Sequence, residues 1–144
     1  MIATARMADH AAAVSVFHMK ITRTLATSTT PDGERITLHE HDGHHFLKVA
    51  GLQLMSTTAS SSEEQMAELS CANLPAKPRV LIGGLGFGFT LKRVLALTGP
   101  DAVVDVAELL PEIVAWNREF LHEVNGKLLD DPRVQVVVAD VRDV

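Results

Sequence analysis

The sequence predicts an α/β protein. Three parallel strands joined by helices form a right-handed β-α-β-α-β unit, the first half of a doubly wound sheet, behind a small antiparallel β meander and a helix. Three observations carry this. A short continuous apolar run at residues 80–82, as expected of a strand buried on both faces, and two further strand-like segments at 103–107 and 134–138 alternate with segments of helical period. The cluster Gly83-Gly84-Leu85-Gly86-Phe87-Gly88 directly follows the first run. Two apolar-alternating runs flank Asp42-Gly43, a pair that favours the type I′ hairpin turn.

Composition narrows the function before any motif is read. The 144 residues are 47% hydrophobic and 22% charged, which excludes collagen, coiled coil and wholesale disorder. The net charge is -5 and no basic run is present, so nucleic acid is not an expected partner. Cys71 is the only cysteine, too few for an intrachain disulfide or a thiolate zinc site, which suits a reducing cytoplasm. The first eighteen residues carry Asp9, His10 and His18 within an Ala/Val run, neither a signal peptide nor a membrane span. Tyrosine is absent.

Phe17, Met19 and Ile21 alternate with polar residues and read as a half-buried strand. Residues 24–34, rich in Thr and Ser and punctuated by Pro31-Asp32-Gly33, read as loop. If Asp42-Gly43 is the hairpin turn, Ile36 lies opposite Val49 and Leu38 opposite Leu47 on one face, with Thr37/Lys48, His39/Phe46 and His41/His44 paired on the other. Ala50-Gly51 then bends the chain into a third run at 52–55. Ser61 and Glu64 have capping-box spacing, opening a helix with Met66, Leu69 and Leu74 on its apolar side and Pro75 and Pro78 beyond its end. The expected organisation is a β meander region over 1–60, a connecting helix and linker over 61–78, and a nucleotide-binding half-domain over 79–144.

In the second half, Leu91, Val94 and Leu95 mark a helix stopped by Gly99-Pro100, and Pro111 opens another carrying Ile113, Trp116 and Phe120. Asp131-Pro132 breaks the chain before the third strand. Ligands of such sheets bind beyond the carboxyl ends of the strands, and the glycine cluster, Glu108 and Asp140 all occupy such ends. The dinucleotide fingerprint requires a third glycine where Phe89 stands; what is present is Gly84-x-Gly86-x-Gly88. Glu108, about 20 residues on, is placed to accept from both ribose hydroxyls. Asp140 is placed to accept from an adenine amine, and the Val141 amide to reach a ring nitrogen. The predicted ligand-binding set is therefore Gly84, Leu85, Gly86, Gly88, Glu108, Leu109, Asp140 and Val141. His39, His41 and His44 could meet at zinc-ligand reach on one hairpin face, but no carboxylate is placed to orient the rings and no metal is assigned.

Arg79-Val-Leu-Ile-Gly-Gly-Leu-Gly-Phe-Gly-Phe-Thr-Leu91, the stretch from Val106 to Val114 with Glu108 at its strand end, and Asp131-Pro-Arg-Val134 with Ala139-Asp140 resemble the spermidine synthase-like branch of the Rossmann-like class I methyltransferase fold. The resemblance implies S-adenosylmethionine or decarboxylated S-adenosylmethionine as cofactor. Gly84, Gly86 and Gly88 would lie against its amino-acid or aminopropyl part, Glu108 on the ribose and Asp140 on the adenine. It also implies alkyl transfer to a small-molecule acceptor such as an amine. The departures count against polyamine synthesis itself: the loop's Asp position holds Phe87, which could line a pocket for an uncharged group, and the family's Tyr-His pair falls near Met66-Ala67.

The family's sheet continues through a fourth strand bearing its catalytic acid, whereas this chain ends at Val144, so a truncated product showing no turnover with amines is the expectation, with residues 80–82 on a bare edge that would permit a homodimer. Two other readings stay open: a catalytically silent nucleotide-binding or dimerising module, and an NAD-dependent oxidoreductase fragment.

Overall fold

The computed structural model describes residues 21–144. Four antiparallel strands, β1 (Arg23–Thr29), β2 (Arg35–His41), β3 (His44–Val49) and β4 (Leu52–Ser56), form a meander in sequential order. Helix α1 (Ser61–Cys71) leads to a parallel sheet of β5 (Arg79–Gly83), β6 (Val103–Glu108) and β7 (Val134–Val138), with α2 (Phe89–Leu97) and α3 (Pro111–Glu119) as crossovers. A short α4 (His122–Asn125) follows α3, and 3-10 turns occupy Leu128–Asp130 and Val141–Asp143.

The hairpin register is the one the alternation dictates: Ile36↔Val49, Leu38↔Leu47 and His41↔His44 are paired. Asp42 and Gly43 both take positive φ, 54° and 78°, as a type I′ turn requires. Ala50 and Gly51 repeat that geometry at the next corner. Residues 24–29 depart from the loop expectation, because Arg23–Thr29 forms β1 against β2, whereas Pro31-Asp32-Gly33 forms the expected turn. Threonine's β-branch suits a pleated edge as well as it suits a turn, and tertiary pairing decided between them. Of the strand read from Phe17, Met19 and Ile21, only Ile21 lies within the described residues, exposed and ahead of β1.

Helix α1 also differs from expectation. Its N-cap is Ser60, whose hydroxyl donates to Glu64 Oε1 at 2.8 Å, and no Ser61 capping box forms. Only Ala67 of the helix is buried; Met66 and Leu69 are exposed. Among the strands of the parallel sheet, only central β6 is covered on both faces, while Leu81 on β5 and Val138 on β7 are exposed. Helix α3 begins at Pro111 as predicted but ends at Glu119, so Phe120 and Leu121 belong to a turn into α4. Arg133 locks the far end of the sheet, donating to Leu95 O and Thr98 O at the end of α2 while paired with Asp131. Among the described residues no helix is long and apolar enough to cross a membrane.

Candidate functional site

A cavity of about 330 Å³ lies between the loop after β5 and the core face of the antiparallel sheet, and Gly84, Leu85, Gly86 and Glu108 line it together. That volume suits a small-molecule pocket. The opposite wall is apolar, built from Ile36, Leu47, Val49 and Met55, with Glu63 contributing a carboxylate.

Glu108 organises the site. At the end of β6 and only 7% exposed, its Oε2 accepts from the Leu85 amide at 2.7 Å and its Oε1 from the Leu110 amide at 2.9 Å. The Gly84 amide donates to Ala107 O at 2.7 Å, so β6 grips the loop through backbone and side chain together. Each carboxylate oxygen keeps acceptor capacity beyond its one amide.

The loop's carbonyls are held from the other side. Asn117 Nδ2 donates to Gly86 O and to Ile113 O, both at 2.8 Å. Asn125 Nδ2 donates to Phe87 O at 3.1 Å and to Asn117 Oδ1 at 2.6 Å. These two buried amides dock the loop onto α3 and α4. On the sequence alone, Asn117 on its helix can either pack near the glycine loop or face solvent, and nothing local marks Asn125.

The glycines divide by environment. Gly84, at φ +92°, has no heavy atom within 4 Å of where a Cβ would stand, so its face toward the cavity is open. A Cβ on Gly86 would lie 2.7 Å from Met55 Cε, the end of a flexible side chain from β4. Gly88 instead faces α3–α4, where a Cβ would meet Asn125 Nδ2 at 3.2 Å and Leu128 Cδ1 at 3.3 Å; its bareness is a packing requirement. Both Gly84→Ala and Gly86→Ala incur left-handed backbone strain of about 1–2 kcal/mol. Only Gly86→Ala should be partly relieved by Met55→Ala, as paired thermal denaturation would show; equal relief of both would refute the assignment.

Phe87 does not line the cavity. It is 1% exposed in the core, its ring edge-to-face with Phe89 at 6.2 Å, and Phe89 takes the lining position. Leu109 is exposed at the β6 end. After β7 the chain folds back across the sheet's carboxyl end: Ala139 N donates to Glu108 O at 3.1 Å, and Val141 Cγ2 comes within 3.1 Å of a Cβ position on Gly83. Asp140 is turned to Arg142, whose guanidinium and amide hold its carboxyl at about 2. Leu109, Asp140 and Val141 are not among the residues lining the cavity. His39 is bonded to Thr24 and Thr37, and His41 to Thr22; among the described residues no three ligating side chains are grouped to hold a metal. Burial pushes the Cys71 thiol up, so it is a poor nucleophile.

An antiparallel meander ahead of a parallel sheet, with a glycine loop and a buried strand-end acid sharing one cavity, defines an α/β fold with a candidate small-molecule site. The chain is similar to a polyamine aminopropyltransferase of a Synechococcus species, 43% identical over 65 residues, covering 45% of this chain and 20% of that protein. Polyamine aminopropyltransferase 1 of Hyperthermus butylicus is 42% identical over 66 residues, covering 46% of this chain and 22% of its own length. The matched stretch thus spans about a fifth of these relatives.

Among solved structures, a spermidine synthase in complex with the transition-state analogue AdoDATO superposes with a TM-score of 0.68 at 23% identity, over 82% of this chain and 41% of that one. The spermidine synthase of Thermotoga maritima gives 0.68 at 24%, over 82% and 40%. A probable spermidine synthase from Corynebacterium glutamicum gives 0.55 at 18%, over 85% and 46%. At these identities the structural likeness is one of fold. No family model matches the chain.

Proposed function

We propose that this chain carries the donor-binding part of an alkyl transferase of aminopropyltransferase type, with decarboxylated S-adenosylmethionine or S-adenosylmethionine held by Gly84, Leu85, Gly86 and Glu108. The observation that carries the reading is the buried Glu108 carboxylate fixed on the Leu85 amide beside the open face of Gly84. The residues fit an adenosyl group: a carboxylate with spare acceptor capacity for ribose hydroxyls, and a glycine position where nothing obstructs close approach. When bound, the donor supplies a carbon made electrophilic by its sulfonium. The protein's contribution is to orient the donor and exclude water. The adenine would extend toward Asp140 and the amide of Val141, and the exposed Leu109 would flank the ribose.

The apolar wall with Glu63 suits an acceptor having an alkyl portion and one amino group better than a multiply charged polyamine.

Thermal denaturation with decarboxylated S-adenosylmethionine, S-adenosylmethionine, 5′-methylthioadenosine and NAD tests this. An adenosyl ligand at 100 times its dissociation constant should stabilise by about 2.7 kcal/mol. Stabilisation by NAD alone would overturn it.

A further inference from the structure

The alternation that seats Ile36 and Leu38 against the core carries Glu40 onto the same face of β2, and the register sets His45 of β3 directly opposite it. A carboxylate and an imidazole therefore continue an otherwise apolar face at the tip of the hairpin. They border a second cavity, of about 610 Å³, between this tip and the α3–α4 segment, which shares no lining residue with the glycine-loop cavity.

His45 is 9% exposed, and its Nδ1 is buried with no hydrogen-bond partner. The backbone around it is fixed: His45 N donates to Thr57 Oγ1 at 2.9 Å and Thr57 N donates to His45 O at 3.0 Å. An imidazole in the cavity wall with an orphaned buried nitrogen calls for a partner. Three carboxylates line the same space, Glu40, Glu119 and Glu123, against the single guanidinium of Arg23, which is already paired with Glu40 at 2.9 Å. Glu119 and Glu123 have no ion pair among the described residues. Leu25 and Phe120 add apolar surface between the charges.

We propose that this cleft binds an alkylammonium ion, its N–H groups taken by Glu119, Glu123 and the His45 imidazole and its methylenes lying on Leu25 and Phe120. An aromatic ring beside carboxylates favours an organic cation over a hydrated metal ion. An anion would meet an excess of negative charge. Burial holds His45 below its ordinary value of 6.5, helped by His44 and Arg23 and opposed by Glu40 and Glu123. The ring is therefore neutral near pH 7 and keeps a lone pair. As pH falls through that lowered value it takes up a proton, loses that acceptor and repels the ligand. Because the folded value is the lowered one, the stability held by the neutral ring is complete above 6.5 and is lost as pH falls through the folded value.

The test is calorimetric titration of the full chain with n-butylammonium chloride, with the His45 ring resonances followed by NMR. Saturable binding that moves those resonances is expected, weakened about tenfold in the Glu119→Gln/Glu123→Gln variant and weakened again as pH falls through the lowered His45 value. Both substituted positions are exposed, so the variant should fold. Sodium chloride and sodium butyrate at equal ionic strength should leave the ring unmoved. An identical response to sodium chloride, meaning that water alone satisfies His45, would overturn the proposal, as would undiminished affinity in the double variant. Titration with 5′-methylthioadenosine reads the glycine-loop site separately, so either reading can fail without the other.

Discussion

Glu108→Ala should lower stability by about 2–6 kcal/mol, since it orphans two amides at about 1–3 kcal/mol each, and should weaken adenosyl binding at least tenfold. Both effects have one origin. Leu85 is buried and its amide has Glu108 Oε2 as partner, while the Leu110 amide at the start of α3 has Oε1. Truncation leaves both donors without an acceptor and frees the loop whose shape the ligand needs. Glu108→Gln separates the two contributions. It keeps the volume and one acceptor oxygen but turns an amino group toward one of the amides, so it should recover part of the stability and little of the binding. Chemical denaturation and calorimetric titration at a temperature where every variant is folded check this. Alanine at 108 with unchanged stability would show that the Leu85 and Leu110 amides are satisfied elsewhere.

Phe87→Asp, which puts into the loop the residue that the resembled family carries there, should destabilise the chain by more than about 4 kcal/mol and gain no amine binding. Phe87 is fully buried and packs edge-to-face on Phe89, so the substitution removes a large core side chain and places an unpaired carboxylate in its cavity. Phe87→Leu, which keeps apolar volume, should cost much less. A folded Phe87→Asp chain of near-native stability would mean that position 87 reaches solvent or the ligand cavity.

The parts of this architecture that rest on local chemistry could be read directly. Asp42-Gly43 specifies a turn with two positive φ angles, and the period of two then fixes every pair in the hairpin. The glycine loop was legible because strand, glycines and helix are contiguous, and Glu108 because it closes the next predicted strand.

What could not be read depends on residues distant in sequence. Asn125 reaches Phe87 across 38 positions, and its role arises only when α4 docks on the loop. Met55 meets Gly86 only because the antiparallel sheet packs over the parallel one. Gly88 resembles its neighbours in sequence, yet it is bare for the sake of Leu128 and Asn125. Residues 24–29 misled because threonine and serine serve turns and edge strands alike, and β1 is settled by its pairing with β2. Met66 is exposed where it lines the glycine-loop cavity, and nothing in the described residues explains the exposure of Leu69.

Backbone amide NMR of the isotope-labelled chain titrated with 5′-methylthioadenosine is the most direct measurement. Saturable shifts should concentrate at Gly84, Leu85, Gly86 and the residue after Glu108, and should disappear in Glu108→Ala. A ligand that binds while those amides stay still would contradict the assignment of the adenosyl site to this loop.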